Sequence, residues 1–598
     1  MFRSSSVRFD GLSIVPGVAA GEVLASDTAI SLMLGVDVST GEVIDAHHPL
    51  RGSSLAGRIV VIPSGRGSCS ASGALLEMIL AGTAPAALVF CEAETILTLG
   101  SMIAEEFFER RVPVIRLSDE DHLALRRAST AAVIGGSVVP DPPGESPEEM
   151  LRACAGLLPE PTRAPGARDA GSTGAGRPSL SPPDEAMLRG DSGEAARRAM
   201  RIVLRVAELE GATELVDVQQ VHVDGNFFQG RGSLEFPERL VSMGARVRVP
   251  TTTNSLMIDR ERWRRIGVSP SLGEGSERVA DAYLEMGVSA SYTCAPYLLE
   301  SRPAFGEQIA WAESNAVVYA NSVLGARTLK YPDYLDILVA ITGRAPAAGT
   351  HLPAARRATI RIDVELPAGF DDAIFPMLGH LVGELAANEI PVVCGLEGVT
   401  ASRDDLRAFG AAFATTSAAP MFHIVGHTPE AETVEEAAGA DLRALRVVAV
   451  GAAELARVHR ELNTARLDEV ALVALGNPHF SLGEFRRLAK RCEEGRFAEG
   501  TRVIVTCGRA IRERAASAGY LEPVERAGAE VLSDTCWCFI EKPIVPPATG
   551  VVMTNSAKYA HYGPGLLHDG MRFGGFDECL DAAFSGRARP GLPDWLVA

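Results

Sequence analysis

A repeating strand–turn–helix pattern runs from residue 358 toward the end of the chain, and it constrains the fold more than any other feature. Short runs rich in Val, Ile and Leu alternate with segments of helical periodicity, one of which begins with the capping pair Ser481 and Glu484. This alternation predicts an α/β architecture with parallel sheets. The predicted strands are Ala358–Leu366, Ile390–Val393, Ala419–Ile424, Val447–Val450, Glu469–Leu475, Thr501–Thr506, Glu530–Leu532 and Gly550–Met553.

Polar and sulfur-containing side chains follow most of these strands. In open α/β sheets ligands bind beyond the carboxyl ends of the strands, so the repetition predicts a shared cleft. Each group alone has a simpler explanation, because free cysteines are often buried and a lone histidine is more often structural than a ligand. The groups are Cys394-Gly395, His423, Asn477-Pro478-His479, Cys507-Gly508, Cys536 with Cys538, and Thr554-Asn555-Ser556.

The first 140 residues predict a small β-rich domain. A loop that contains Gly65, Gly67, Ser68, Ser70 and Ser72 leads into a predicted helix and can present backbone amides to an anion. An ordinary connecting turn explains the same residues, and the Gly-Lys-Ser/Thr of a Walker loop is missing. The predicted strands of this domain are Leu12–Val15, Glu22–Leu24, Arg58–Pro63, Ala87–Phe90 and Pro113–Arg116, and the predicted helix is Ala74–Ala81.

Residues 158–183 are rich in Pro, Gly, Ser, Thr and Ala, which predicts a flexible linker. The chain therefore divides into a small domain (1–157), this linker (158–183) and a large body (184–598) of two or more α/β subdomains. Early in the body, polar residues follow two further predicted strands, and residues 290–334 interleave polar with apolar side chains as a buried polar wall would. The polar residues of interest in this part are His222, Thr252, Asn254, Cys294, Glu313 and Ser314.

The formal net charge of −19 argues against a basic surface for nucleic acid or anionic lipid. No run of 18 apolar residues predicts a membrane span, and the first residues lack the apolar core of a signal peptide. Ten dispersed cysteines fit a reducing, cytoplasmic setting in which thiols remain free to bind metal. The expected partner is a small molecule, and a homo-oligomer is compatible with the sequence.

The sequence has no CxxC pair, HExxH motif or zinc-finger spacing, so a metal site would have to combine distant cysteines. Three thiolates on an iron–sulfur cluster would leave one iron able to take a substrate hydroxyl as a Lewis acid. Elimination of water also needs a base for the adjacent C–H proton. A serine can serve as that base where nearby amides stabilise its alkoxide, which the glycine-serine loop offers.

Nearly the whole chain resembles the aconitase X family in the form that joins a small swivel subunit to the large subunit. The resemblance rests on long motifs in both parts, and it implies a β/β/α swivel domain followed by a multi-domain α/β body. It also implies a hydro-lyase with an iron–sulfur centre, for which we expect a 2Fe–2S cluster. The motifs are IPSGRGSCSASGALLEMILAGTAP, YTCAPYL, WAESNAVVYANSVLGARTLKYP, ALGNPHFSL, SDTCW and TNSAKYAHYGPG.

Within that family, the joined architecture and the Asn477-Pro478-His479 turn favour the branch that dehydrates cis-3-hydroxy-L-proline. That reaction removes the C2 proton and the C3 hydroxyl, and the enamine then tautomerises to Δ1-pyrroline-2-carboxylate. A dehydratase of another hydroxy acid, such as mevalonate 5-phosphate, is the main alternative. A non-catalytic iron-binding homologue is a third hypothesis.

The resemblance also assigns expected roles. Iron ligands are Cys294, Cys394 and Cys536, with Cys507 and Cys538 as substitutes. The base is one of Ser68, Ser70 and Ser72, with Ser68 slightly favoured. The substrate carboxylate is expected at Arg66, Lys558, Thr554, Asn555 and Ser556, and the pocket lining at His222, Thr252, Asn254, Glu313 and Ser314.

Overall fold

The computed structural model describes residues 7–33, 35–45, 48–66, 69–154, 177–440, 442–493, 495–540, 545, 550–567 and 570–597. The strands, in chain order, are β1 (Phe9–Asp10), β2 (Leu12–Val15), β3 (Val18–Ala25), β4 (Ile59–Val61), β5 (Ala87–Phe90), β6 (Val114–Arg116), β7 (Thr130–Ile134), β8 (Ser137–Pro140), β9 (Leu215–Asp217), β10 (Gln220–Val223), β11 (Thr251–Thr253), β12 (Ile309–Trp311), β13 (Arg344–Pro346), β14 (Ile360–Val364), β15 (Pro391–Cys394), β16 (His423–Ile424), β17 (Arg446–Val450), β18 (Val470–Leu475), β19 (Arg502–Cys507), β20 (Ala529–Ser533), β21 (Val551–Thr554) and β22 (Met571–Phe573).

The α-helices are α1 (Ala71–Ala81), α2 (Ile96–Phe108), α3 (Asp119–Leu125), α4 (Pro147–Ala153), α5 (Pro182–Arg189), α6 (Glu194–Leu209), α7 (Arg231–Ser242), α8 (Pro270–Glu285), α9 (Ser314–Tyr319), α10 (Leu335–Thr342), α11 (Ile374–Ala386), α12 (Arg403–Thr416), α13 (Val434–Ala438), α14 (Ala452–Leu462), α15 (Leu482–Cys492), α16 (Arg509–Ser517), α17 (Leu521–Ala527), α18 (Ala557–Leu567) and α19 (Phe576–Ser585). A π-helical turn, Ala320–Leu324, continues α9. Short 3₁₀ turns lie at Pro296–Leu298, Gly349–His351, Pro353–Arg356, Leu442–Ala444 and Asp594–Leu596.

The chain forms two compact units, the first of which contains residues 1–216, 229–245 and 331–348. Its eight-stranded sheet has the order β1-β8-β7-β3-β4-β5-β6-β2. The central strands β3 to β6 run parallel, whereas β1, β2, β7 and β8 pair antiparallel with their neighbours. Alternate residues of these strands face one apolar core that includes Ile59, Val61, Val89, Ile115 and Val133. Helices α1 and α2 pack against each other in this unit.

The second unit contains residues 217–228, 246–330 and 349–598, and it holds three parallel sheets. Their strand orders are β11-β10-β12, β16-β15-β14-β17 and β20-β19-β18-β21-β22. The four-stranded and five-stranded sheets are built from successive strand–helix units, so their strands are buried runs of Val, Ile and Leu. The predicted α/β class and the β-rich N-terminal region are therefore confirmed.

Helices α11 and α12 pack closely in the four-stranded part of the second unit. A Cβ on Gly379 would lie 2.1 Å from the Phe409 carbonyl oxygen, so only glycine permits this approach. The contact fixes α12, which carries Arg407 into the region described below.

Each of the eight strands predicted after residue 358 is present. The predicted linker differs at its end, because Ser179 pairs with Glu214 and α5 begins at Pro182. The reason is local: Ser181 and Asp184 form a capping box, and proline at the first helical position starts a helix well. Residues 158–176 lie outside the described residues. Among the helices that the structure describes, none combines the length and the apolar character needed to cross a bilayer.

Candidate functional site

Three turns meet at the carboxyl edge of the five-stranded sheet. The first follows β18, where Gly476 adopts a φ of +94° and a Cβ would lie 2.2 Å from the Thr506 carbonyl oxygen. Only glycine fits this turn, and it directs Asn477, Pro478 and His479 across the edge of the sheet. The third turn follows β21 and contains Thr554, Asn555 and Ser556.

The second turn follows β20 and is held by charged groups. Asp534 has a left-handed φ of +67°, and its buried carboxylate is paired with Arg509. The Asp259 carboxylate accepts a hydrogen bond from the Ser533 amide at 3.1 Å. The Trp537 indole donates to the Leu475 carbonyl at 2.8 Å. These contacts fix the orientation of Cys536 and Cys538, which flank Trp537.

Three thiols lie together at this edge. Cys536 is within hydrogen-bonding contact of both Cys294 and Cys538. The Asn477 amide nitrogen approaches the sulfurs of Cys538 and Cys536 at 3.6 and 3.9 Å, and the His479 amide nitrogen lies 3.4 Å from the Cys294 sulfur. Cys294 comes from the loop after α8 and stands 242 positions before Cys536, so only folding brings it to the other two thiols.

Hydrogen bonds link the thiols to one another and raise the pKa values of two of them. The hydrogen bond with Cys294 raises the pKa of Cys536 well above its usual value, and the hydrogen bond with Cys536 does the same for the pKa of Cys538. Within the described ranges, no three His, Cys, Asp or Glu side chains surround a single ion position. Three soft sulfur donors nevertheless suit iron or an iron–sulfur cluster, because a metal takes the place of the thiol protons.

His479 is a structural histidine of the site. Its Nε2 lies 2.8 Å from the Thr535 carbonyl oxygen, which can only accept, so Nε2 carries the proton and Nδ1 accepts from the Thr293 hydroxyl at 3.0 Å. Burial lowers the pKa of His479 to about 4, which keeps the ring neutral. Since both nitrogens are used, His479 joins the turns that carry Cys294 and Cys536.

A buried ion pair lies beside the thiols. Lys558 Nζ is 3.0 Å from Glu313 Oε1, and both side chains are about nine-tenths buried. Burial alone lowers the pKa of Lys558, but the Glu313 carboxylate and the sulfurs raise it well above its usual value. Burial alone raises the pKa of Glu313, but the Lys558 ammonium lowers it below its usual value. Both groups are therefore charged at neutral pH.

Amide side chains hold the Glu313 carboxylate in place. Asn315 donates to Oε1 at 2.6 Å and Asn254 donates to Oε2 at 3.2 Å. The same Asn254 amide also bonds the Asp224 carboxylate, and Tyr297 donates to Asn315 Oδ1 at 2.8 Å. The predicted polar wall is thus a hydrogen-bonded network that ends at Lys558.

His222 and Thr252 lie at the edge of the three-stranded sheet. They are register partners on β10 and β11, and the Thr252 hydroxyl is 2.8 Å from His222 Nδ1. Burial lowers the pKa of His222 to about 3, and its ring packs near Trp311 at 5.9 Å between centroids.

A small cavity borders the thiol cluster at Asn477. Helix α12 contributes Arg407, whose Nη1 donates to the His479 carbonyl at 3.2 Å and whose other amino group is paired with Glu484. The cavity is lined by Pro376, Arg407, Ala408, Gly476, Asn477, Pro478, Glu484, Asn555 and Ser556.

The structure brings together only part of the predicted ligand set. Cys294 and Cys536 lie in the thiol cluster, and their third member is Cys538 instead of Cys394. Cys394 ends β15 in the four-stranded sheet, near Arg361 and Asp363, and burial raises its pKa to about 11. Cys507 ends β19 with its sulfur 3.9 Å from the Leu532 carbonyl, and burial raises its pKa to about 12.

The predicted swivel-domain residues lie in the first unit. Ser68 lies outside the described residues. Ser70 is the buried N-cap of α1, and Ser72 is fully buried, with its hydroxyl donating to the carbonyls of Cys69 and Asp333 at 3.2 and 2.9 Å. Arg66 forms an ion pair with Asp45 at 2.8 Å.

In the predicted turn after β21, two of the side chains already accept hydrogen bonds from backbone amides nearby. The Thr554 hydroxyl accepts from the Ser556 amide, and the Ser556 hydroxyl accepts from the Tyr559 amide, each at 3.2 Å. Asn555 lines the cavity, and Ser314 begins α9 as a half-buried residue.

Arg407 was not among the predicted site residues, and Asn315 was predicted only as part of the polar wall, without a role of its own. Asn315 stands next to predicted Glu313 and Ser314, so its motif carried a signal. Arg407 lies in an ordinary amphipathic helix that carried none.

Comparisons with known proteins identify four successive domains. Residues 8–139 match the aconitase X swivel domain, 177–354 the first domain, 358–460 the second and 470–585 the third. A solved structure, aconitase X of Thermococcus kodakaraensis in its holo-form, matches with a TM-score of 0.61 and 28% identity over 68% of this chain and 100% of that chain.

Two full-length relatives are similar along almost the entire sequence. A protein of Hypocrea jecorina named cis-3-hydroxy-L-proline dehydratase is 48% identical over 98% of this chain and 97% of its own. A protein of Pseudomonas aeruginosa with the same name is 46% identical over 98% of both chains. The phosphomevalonate dehydratase large subunit of Methanothermobacter thermautotrophicus is 36% identical over 66% of this chain and 96% of its own.

Proposed function

Because this chain belongs to the aconitase X family, we propose that it is a hydro-lyase that dehydrates cis-3-hydroxy-L-proline to Δ1-pyrroline-2-carboxylate. The observation that carries the proposal is a cluster of three thiols, two buried and one half-buried, beside a polar cavity at the carboxyl edge of a parallel sheet. The choice of substrate is supported by the two dehydratases that match along the full length, since the phosphomevalonate dehydratases match less of the chain at lower identity.

The family suggests an iron centre, and Cys294, Cys536 and Cys538 are the residues that we propose hold it, as a 2Fe–2S cluster. Such a centre, when bound, supplies Lewis acidity toward the leaving hydroxyl. Cys538 takes the role that the sequence had assigned to Cys394, because it shares the site with the other two thiols.

The chain's own residues prepare the site for charge. The Lys558 ammonium stabilises thiolates and negative charge that develops on the leaving oxygen, while Glu313 keeps that ammonium protonated and fixed. His479, neutral and fully hydrogen-bonded, holds the loops that carry the sulfurs. Thr252, His222, Asn254 and Ser314 belong to the supporting network in this proposal.

The base for the C2 proton stays a prediction from the family resemblance. Ser68 is the favoured candidate, with Ser70 and Ser72 slightly behind it, and Ser72 donates to two backbone carbonyls of its own unit. Single alanine variants at the three positions distinguish them, because loss of the base lowers kcat while the iron content is unchanged. The position whose alanine variant loses the most kcat is then assigned as the base, and the largest loss at Ser72 would overturn the preference for Ser68.

The test is anaerobic purification followed by an assay for Δ1-pyrroline-2-carboxylate from cis-3-hydroxy-L-proline, with Cys536→Ala in parallel. We expect turnover by the iron-loaded wild type and none by the variant, which should also lose iron. An iron-loaded wild type that leaves hydroxyproline unchanged but consumes mevalonate 5-phosphate would replace the proposed substrate. An iron-loaded wild type inert toward both would favour the non-catalytic hypothesis.

A further inference from the structure

Among the residues that line the cavity, two polar side-chain atoms are buried without a hydrogen-bond partner in the described part of the chain. They are Arg407 Nε, a donor, and Asn477 Oδ1, an acceptor. Their residues are 4% and 7% exposed. A buried polar atom that lacks a partner costs free energy, so a ligand that pairs both atoms would recover it on binding.

The orientation of the Asn477 amide follows from its neighbours. Its nitrogen lies 3.6 Å from the Cys538 sulfur and 3.9 Å from the Cys536 sulfur. The amide nitrogen is thus the end of the side chain that faces the thiols, and it donates toward the sulfurs as weak acceptors. The carbonyl end is therefore directed away from the sulfurs, and it can accept only from a group that brings its own N–H or O–H.

The remaining groups of Arg407 are already used. One amino group donates to the His479 carbonyl at 3.2 Å and lies 3.4 Å from Asp404, and the other is paired with Glu484. These contacts fix the guanidinium beside the Asn477-Pro478-His479 turn and leave the Nε–H as its unused donor. Arg407 carries one positive charge, and Asp404 and Glu484 carry two negative charges. This net negative charge disfavours a polyanion, so the wall suits a neutral zwitterion better.

We propose that this wall recognises the α-amino acid part of the substrate: the ring ammonium donates to Asn477 Oδ1, and the carboxylate accepts from the Arg407 Nε–H. The inference rests on the proposed function and deepens it, because it names the two residues that select a zwitterionic α-amino acid. A phosphorylated hydroxy acid has no ammonium to pair with Asn477 and would bring further negative charge toward Glu484 and Asp404. Asn477 is thus a specificity-determining residue.

The test measures binding of three unreactive ligands to the iron-loaded enzyme by titration calorimetry. L-Proline carries both groups, cyclopentanecarboxylate lacks the ammonium, and pyrrolidine lacks the carboxylate. We expect wild type to bind L-proline about tenfold or more tightly than cyclopentanecarboxylate, since a buried acceptor left unpaired is a strong discriminator. In Asn477→Leu this preference should vanish while cyclopentanecarboxylate binding changes little.

Arg407→Lys keeps the charge and removes the Nε–H, so it should weaken L-proline and cyclopentanecarboxylate alike and leave pyrrolidine unchanged. Arg403→Lys, on an exposed position of the same helix, is the matched control. Asn477→Ala replaces Asn477→Leu if the larger side chain prevents folding. A wild type without the L-proline preference, or an Asn477 variant that keeps it, would overturn the inference.

The inference and the proposed function can fail separately. Turnover of hydroxyproline by a wild type whose preference survives in the Asn477 variants would retain the function and reject this wall as the recognition site. An Asn477-dependent preference for L-proline in an enzyme that leaves hydroxyproline unchanged would retain the recognition site and reject the substrate.

Discussion

The four-stranded and five-stranded sheets of the second unit follow the same construction, yet they end in different chemistry. In each sheet a strand is followed by a glycine with a left-handed backbone conformation. A Cβ on Gly395 would clash with the Val364 carbonyl oxygen, and a Cβ on Gly476 would clash with the Thr506 carbonyl oxygen. After the first glycine the edge is closed by charged and backbone contacts. After the second it opens onto three thiols and a cavity.

The contrast lies in what the neighbouring strands and loops contribute. At the four-stranded sheet, Cys394 lies near Arg361 and Asp363, and His423 bonds the Arg356 carbonyl at 2.8 Å. At the five-stranded sheet, the turns after three strands meet Cys294, which arrives from a distant loop. A cysteine or histidine at a strand end is therefore common to both sheets, and convergence with a further loop distinguishes the candidate site.

The two sheets and their helices contribute different residues to the candidate site. The five-stranded sheet supplies the sulfurs, whereas α11 and α12 of the four-stranded part supply Pro376, Arg407 and Ala408 to the cavity wall. The apolar core around α11, α12 and the β14–β17 sheet keeps Arg407 in place. One subdomain thus presents the candidate metal ligands, and the other positions a recognition group.

Removal of one thiol from each sheet should separate the two sheet edges most strongly. Cys538→Ala should lower iron content and reduce turnover by at least about 100-fold, because it removes a donor from the proposed metal site. Cys394→Ala should retain iron and change turnover less than about threefold, since only a buried thiol is lost. Iron and sulfide analysis with visible absorption spectra measures both. The opposite ranking would restore Cys394 to the ligand set.

The buried ion pair gives the next largest effect. Lys558→Met should lower kcat by about 100-fold or more, because the site loses the cation that stabilises negative charge. Glu313→Gln should have a smaller effect on kcat and should shift its alkaline limb to lower pH, since the Lys558 ammonium loses its carboxylate partner. Steady-state kinetics from pH 6 to 10 measures the two effects. A purely structural pair would lower the melting temperature and leave the pH profile unchanged.

Much of this architecture was predictable from the sequence because it depends on local patterns. The runs that became β14 to β21 are apolar and bounded by turn residues, and Ser481 with Glu484 forms the expected capping box. The polar wall was also foreseen from the mixture of Asn, Glu and apolar residues after Cys294. The α/β class followed from this alternation, without knowledge of any long-range contact.

The remainder depends on which strands become neighbours, and local patterns carry no such information. Cys538 lies with Cys294 and Cys536 whereas Cys394 does not, because β20 and β15 belong to different sheets. The sequence also could not predict Arg407 as a site residue, since an arginine on an amphipathic helix usually faces solvent. Only the packing of α12 turns it toward the His479 carbonyl.

Substitution of the glycine at each sheet edge should affect the two edges differently, with smaller effects than loss of a thiol or of Lys558. Gly395→Ala and Gly476→Ala should each destabilise the fold by about 2–4 kcal/mol, because a Cβ in a left-handed turn would meet a backbone oxygen. Only Gly476→Ala should also lower turnover per folded molecule, since that turn carries Asn477. Thermal melting and active-site titration separate the two effects. Equal losses of turnover would mean that the four-stranded edge also serves the reaction.

The smallest expected effect is on stability and concerns Glu578, which lies on α19, a helix that packs against the five-stranded sheet. Burial and the nearby Asp371 carboxylate raise the pKa of Glu578 from 4.5 to about 7. The unfolded chain therefore releases this proton at lower pH than the native protein, so Glu578 lowers stability progressively as pH rises from about 4.5 to about 7. Above that window Glu578→Gln should be more stable than wild type by about 1–2 kcal/mol, after allowance for partial exposure.

Thermal melting of Glu578→Gln and wild type between pH 5 and 8 measures this effect, with Glu469→Gln on the exposed surface as the control. The melting difference should grow with pH for the first variant and stay flat for the control. Asp371 precedes α11, so the shifted carboxylate belongs to the contact between the two sheets' subdomains. A flat difference for Glu578→Gln would mean that this contact tolerates the charge of the Glu578 carboxylate.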